Sequence, residues 1–189
     1  MAQAPARATS ADLAGPGGSV AAMKLSAELE TAFSGQITLE LASSVAYLQL
    51  AAGLSGQDLP GMAAWMRVQA DEERLHALKF IDHVLDKGGD VQIGAIQPPP
   101  KPPASVVAAF EAALAHEERV SEAIRTLYRH AVEAGEIDSL PLLSWFLNEQ
   151  VEEESTVSEI LGRLRRIGDD GSALLFLDSE LGSRPPAAQ

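Results

Sequence analysis

The chain has 189 residues, 46% of them hydrophobic and none of them cysteine. That length supports one domain with a sizeable core, and the absence of thiols excludes disulfides, thiolate zinc sites and iron–sulfur clusters. A formal net charge of -13 disfavours binding to nucleic-acid phosphates or anionic lipid and suits a soluble protein that attracts cations.

Residues 1–24 are rich in Ala, Gly, Pro and Ser and read as a disordered tail, with no cluster of positive charge and no apolar segment of the secretory type. Met23 begins the patterned region and is an alternative start. The domain is expected over 25–182 and a terminal tail over 183–189. Four long helical patterns follow the first tail, each about 28 residues or roughly 42 Å. The first runs from Ser26 to Gly53. The second starts after Asp58, with Pro60 in its first turn, and ends at Gly88. The third runs from Ser105 to Gly135, and the fourth from Ser139, with Pro141 in its first turn, to Gly168. Each start carries a Ser or Asp suited to capping, and each end a glycine. The apolar segment "SALLFLDSELG" predicts a short fifth helix. No strand pattern is evident, and no uninterrupted apolar run approaches the roughly 20 residues of a membrane span.

Short links join the first helix to the second and the third to the fourth, so each pair is an antiparallel hairpin. The middle link, "GGDVQIGAIQPPPKPP", is too rich in proline to be helical and long enough to travel the length of a bundle. The expected fold is all-α: a four-helix bundle with one long crossover, which is the ferritin-like arrangement, and a short fifth helix.

A 3-4 spacing of buried positions defines the bundle seams. The first helix reads Leu29, Phe33, Gln36, Glu40, Ser43, Tyr47, Leu50, Leu54. The second reads Met62, Met66, Gln69, Glu73, His76, Phe80, His83. The third reads Val106, Phe110, Ala113, Glu117, Val120, Ile124, Leu127, Ala131. The fourth reads Leu142, Phe146, Glu149, Glu153, then Val157 or Thr156, Ile160 and Leu164. Every seam carries a carboxylate near mid-length, and in an antiparallel bundle four mid-heights share one level.

Several carboxylates buried together repel and lose solvation worth several kcal/mol each. Either they take up protons, or a multivalent cation neutralises them. A lone Glu-x-x-His on a helix is ordinarily solvated surface, but Glu73 and His76 fall on a seam beside three other seam carboxylates. Glu and His together suit iron, zinc or manganese better than calcium or magnesium.

The motifs "LELASSVAYLQL", "ADEERLH", "HEERV", "WFLNEQVEEE" and "LLFLDSELG" together resemble the bacterial non-haem ferritins, over Met23 to about Gly182. The resemblance implies a hollow shell of twenty-four identical subunits in the cytoplasm that oxidises Fe(II) with O2 or peroxide and stores ferric mineral. It implies Glu40, Glu73 and His76 as ligands of a first iron, with Glu73 bridging, and Glu117 and Glu153 as ligands of a second, with Gln150 close by. Glu72, Glu149 and Glu152 resemble a third iron site, and Tyr47 and Trp145 match aromatic residues beside the centre. Haem-containing relatives carry a Met where this chain has Arg74 and a second Glu-x-x-His where it has Gln150 and Glu153, so no haem is expected. Neither a membrane nor a nucleic acid is expected as a partner. The turn holding Glu133, Glu136 and Asp138 corresponds to a region that lines channels in such shells, or is a solvated loop. The alternative readings are a di-iron oxidoreductase or peroxidase that stores nothing, and a bundle whose metals only stabilise it.

Overall fold

The Ser26 hydroxyl accepts the Leu29 amide at 3.3 Å and starts α1 (Ala27–Ser55). A computed structural model describes residues 24–185, so the expected N-terminal tail, Lys24 apart, lies outside the described residues. Then come α2 (Pro60–Asp86), α3 (Val106–Glu133), a 3-10 turn (Ile137–Ser139), α4 (Leu140–Ile167) and α5 (Gly171–Leu181). Among the described residues there is no strand. The four long helices have 27 to 29 residues. α1 packs on α2 and α3, α3 on α4, and α5 mainly on α2. The expected fold class is observed: a ferritin-like bundle with one long crossover and a short C-terminal helix.

The crossover, residues 87–105, is pinned to α1. The Gln92 amide donates to Ser34 Oγ at 3.1 Å, and the Gly94 amide to Thr38 Oγ1 at 2.8 Å. Farther along, Pro102 packs against Gly53, where an added Cβ would lie 2.4 Å from the proline Cβ. Gly53 therefore does not end the first helix, as its sequence position suggests. It lies inside α1, and its missing side chain admits the crossover. By length and composition α1 is apolar enough to cross a membrane, but here its seam is buried in the bundle and carries Gln36 and Glu40.

Two expected caps differ. Asp58 has φ 59 and does not cap α2; Leu59 holds the cap position without a side-chain bond. The carboxylate of Asp178, on α5, takes over. Its two oxygens accept the Gly61 amide at 3.1 Å and the Met62 amide at 2.7 Å, so a residue distant in sequence satisfies the free N–H groups of α2. Ser139, expected to cap α4, makes no capping bond; its hydroxyl instead pairs with His83 Nε2 at 2.8 Å and donates to Glu136 at 3.3 Å.

The α2–α5 contact is tight, because a Cβ on Gly61 would come within 1.8 Å of the Asp178 carbonyl oxygen. Gly61→Ala is expected to displace α5 and cost about 3 kcal/mol through overpacking and the lost cap. Thermal unfolding in chelator, with limited proteolysis of the α4–α5 link, checks this. Parental melting and protease resistance would show that α5 accommodates the methyl group.

The core divides into two apolar clusters. One gathers Tyr47, Leu54, Met62, Met66, Phe110 and Leu164, with Leu177 of α5; the other gathers Phe33, Ile37, Phe80, Ile124, Leu143 and Phe146. The seam carboxylates fall between these stretches on each long helix.

Candidate metal centre

Glu40 comes from α1, Glu73 and His76 from α2, Glu117 from α3 and Glu153 from α4. Glu40 and Glu117 are fully buried, and Glu73, His76 and Glu153 are at most 8% exposed. The expected seam pattern brings these five side chains inward, and part of the set meets directly. A carboxylate oxygen of Glu40, one of Glu73 and a ring nitrogen of His76 lie within 4.8 Å of one another. His76 Nδ1 is 3.6 Å from Glu73 Oε2. Gln36 donates to Glu40 Oε1 at 2.7 Å. Glu40 Oε2, Glu73 Oε2 and His76 Nδ1 are buried and make no hydrogen bond to the described residues. Buried polar atoms are seldom left so, because each forfeits its hydration. The His76 ring is also held by edge contacts with Phe146 at 5.3 Å and Trp145 at 5.8 Å.

The second part of the set is held by donors. Tyr47 donates to Glu117 Oε1, and Gln150 Nε2 donates to Glu117 Oε2 at 3.2 Å. Gln69 Nε2 donates to Glu153 Oε2 at 2.7 Å. These bonds orient both carboxylates without neutralising them.

Burial raises the pKa of every acid in the group. Glu40 and Glu73 are pushed well above the usual carboxylate range, by desolvation first and by neighbouring carboxylates next. Glu117 is raised by burial, against the opposing bonds from Tyr47 and Gln150. Burial and then the charge of Glu117 lift Glu153 to about 7. Burial and the Glu117 charge also raise Tyr47, keeping its phenol protonated.

This gives a signed expectation for the protein in chelator. The folded pKa of Glu153 lies above its ordinary value of 4.5, so between pH 4.5 and 7 the native chain binds the extra proton. Stability from this group is full below that window and lost as pH rises through it, by about 3 kcal/mol. Glu40 and Glu73 act in the same direction. Melting measured with chelator should therefore fall between pH 5.5 and 8, and added Zn(II) should reverse the fall. A chelated protein that gains stability over that range would mean that these acids are well solvated.

The outer acids separate. Glu72 and Glu149 are partly buried and line a surface cavity of about 460 Å³ with His76, Trp145, Lys79 and Asp82. Glu152 is exposed and is not among the lining residues. The fourth seam also differs from the expected one. Leu143, Phe146, Gln150, Glu153, Val157 and Ile160 are buried, so Gln150 and not Glu149 takes the inward position. Four residues after Phe146 and three before Glu153, Gln150 keeps the 4-3 spacing; Glu149 lies one residue round the helix. Trp145 is 39% exposed, with Lys79 Nζ 4.8 Å from its ring centre. In the turn after α3, Glu133 is exposed, whereas Glu136 and Asp138 pair with Lys87 at 3.0 and 2.8 Å.

The acids were easier to find in the sequence than their supports. Gln36 stands four residues before Glu40, the seam acid that it bonds, which is a usable local signal, whereas Gln69 bonds Glu153 on another helix. His116, beside Glu117, was not picked out. It pairs with Ser43 Oγ at 2.6 Å and accepts from Arg119 at 2.8 Å, and burial and that guanidinium push its pKa down to about 4. It is therefore a neutral histidine that supports the core beside the centre.

A four-helix bundle with one long crossover and a buried Glu/Glu/His donor group at mid-height defines a ferritin-like domain. The chain belongs to that family: the model of the ferritin-like domain matches residues 30–167. Among curated relatives, it is similar to the bacterial non-heme ferritin of Staphylococcus aureus (strain USA300), 33% identical over 85% of this chain and 96% of the relative. The bacterial non-heme ferritin of Staphylococcus epidermidis is 34% identical over the same shares. Among solved structures, an engineered closed form of the Archaeoglobus fulgidus ferritin matches with a TM-score of 0.85 and 38% identity, over 87% of this chain and all of that one. The open-pore ferritin of the same archaeon matches at 0.84 and 39%, over 86% of this chain.

Proposed function

We propose that this protein is an iron-storage ferritin that oxidises Fe(II) with O2, or with peroxide, at its buried carboxylate layer and holds the ferric product inside a closed shell of twenty-four copies. The observation that carries the reading is the buried group Glu40, Glu73 and His76, whose potential ligand atoms lie within 4.8 Å of one another and in which Glu40 Oε2, Glu73 Oε2 and His76 Nδ1 make no hydrogen bond to the described residues. A multivalent cation would answer both their desolvation and their mutual repulsion without protonating them.

Two Fe(II) ions are the substrate. Glu40 and His76 take the first, Glu117 and Glu153 the second, and Glu73 lies between. Each ion gives up one electron, and the pair reduces O2 to the level of hydrogen peroxide as two protons are taken up. Carboxylates favour the ferric product because they are hard, negatively charged donors. Burial raises the pKa of Glu40 and Glu73, so taking up iron is coupled to the release of protons from them. Gln36, Gln69 and Gln150 hold Glu40, Glu153 and Glu117 in place before iron arrives. Tyr47, with its phenol on Glu117, is suited to pass a proton or an electron to the centre. Glu72 and Glu149, at the mouth of the cavity that reaches His76, are suited to pass iron in or out. Arg74 is exposed on α2 and offers no axial ligand, so we expect no haem. A cysteine-free, acidic chain fits a cytoplasmic setting.

The test is aerobic loading with excess Fe(II), followed by sizing and electron microscopy. The expected result is a shell with an electron-dense core. Rapid oxidation by a dimer-sized particle with no core would move the protein to the non-storing oxidoreductases.

A further inference from the structure

Arg184 lies three residues beyond α5, in a segment that reads from sequence as a plain terminal tail. Its guanidinium turns back onto α2. One nitrogen donates to Gln69 Oε1 and another to Glu72 Oε2 at 2.7 Å, while the group sits 5.1 Å from the Trp65 ring centre. The ion pair is partly buried, with each side chain about a quarter exposed.

Two consequences follow from the chemistry of these partners. An amide has one acceptor end and one donor end. With its oxygen taken by Arg184, Gln69 must aim its NH2 at Glu153, and the 2.7 Å bond is there. Meanwhile Glu72, which lines the cavity beside His76, already has its Oε2 paired with the positive charge of Arg184.

We propose that Arg184 is a tethered cation that occupies the metal-binding edge of Glu72 and sets the Gln69 amide toward Glu153, so that metal uptake at Glu72 releases the segment after α5. This rests on the reading of the buried layer as a metal centre. A guanidinium and a divalent ion compete for one carboxylate oxygen, and the ion brings the higher charge. In the metal-free state Arg184 offsets part of the repulsion between Glu72 and the acids around it. In the loaded state that role passes to the metal. Arg184 is a positioning residue, since it reaches the inner acids only through Gln69.

Calorimetric titration with Zn(II), which has no redox chemistry, tests this on the full chain in four forms: parent, Arg184→Gln, Glu72→Gln and the double variant. Arg184→Gln is expected to tighten the weakest Zn(II) site by about tenfold, the scale of one charge-assisted contact removed from competition. Glu72→Gln should abolish that site, and Arg184→Gln should then have no further effect on it. A second readout follows the segment itself. The chain has no cysteine, so Ser183→Cys takes a single spin label. Its spectrum should sharpen when Zn(II) fills the weakest site, and should be sharp from the outset in Arg184→Gln. Tight Zn(II) sites that persist with unchanged affinity in Arg184→Gln, and with an unchanged label spectrum, would overturn this proposal alone. Absence of any tight Zn(II) binding by the parent would overturn the metal reading and this proposal with it.

Discussion

Glu73→Gln is expected to abolish the fast oxidation of Fe(II) while leaving the metal-free protein as stable as its parent. Glu73 is buried, with Oε2 unpartnered and 3.6 Å from His76, and it is the residue proposed above to lie between the two irons. An amide matches a carboxyl in size but is a poor metal ligand and carries no charge. A loss of more than about 100-fold corresponds to roughly 3 kcal/mol of barrier, which is modest for the bridging role proposed for Glu73. In chelator the argument reverses. Burial and the charges of Glu117 and Glu153 hold Glu73 well above the usual carboxylate range, so it keeps its proton to higher pH than a solvated acid and in that form resembles the amide. Melting should therefore match the parent where Glu73 is protonated and exceed it as pH rises and the parent acid gives up its proton at a cost. Stopped-flow oxidation and thermal melts on the same preparations provide the check. Undiminished fast oxidation would remove Glu73 from the centre, and a clear loss of metal-free stability would give it a structural role.

Phe146→Ala should be the most destabilising substitution near the site, by about 3–5 kcal/mol. Phe146 is fully buried, stacks on Phe80 at 4.0 Å and 9°, and meets the rings of His76 and Trp145 edge-on at 5.3 and 4.9 Å. Truncation leaves a cavity between α2 and α4 and frees the His76 ring, so oxidation should slow as well. Phe146→Leu refills much of the volume and should cost under about 2 kcal/mol. Chelated protein is the right material for these melts, because bound metal would mask part of the loss. A cost below about 1 kcal/mol for the alanine form would mean that the second apolar cluster collapses onto the gap.

Much of this architecture was legible because it rests on local periodicity. Leu29, Phe33, Gln36, Glu40, Ser43 and Tyr47 recur every three or four residues, and all are buried. The same spacing put Glu73 and His76 inward and identified Glu117 and Glu153. Features that depend on contact between distant segments were not legible. Asp178 caps α2 from more than a hundred residues away, while the adjacent Asp58 does not. Gly53 resembles a helix stop but is a point of close approach for Pro102. On α4, "NEQVEEE" holds four acids in seven residues, and a 3-4 spacing from Phe146 to Glu153 passes through Glu149, whereas packing turns Gln150 inward. Arg184 carried no pattern at all, because its partners belong to a helix that ends about a hundred residues earlier.

The central claim is that one chain oxidises Fe(II) at a paired site within its own bundle. The most direct test is a rapid-mixing titration of chelator-stripped protein with Fe(II) in oxygenated buffer, reading the amplitude of the fast phase against iron added per chain. The amplitude should rise linearly and stop at two Fe(II) per chain, with slower oxidation beyond. Saturation at one Fe(II) per chain, or a phase that never saturates, would contradict a paired centre built from Glu40, Glu73, His76, Glu117 and Glu153.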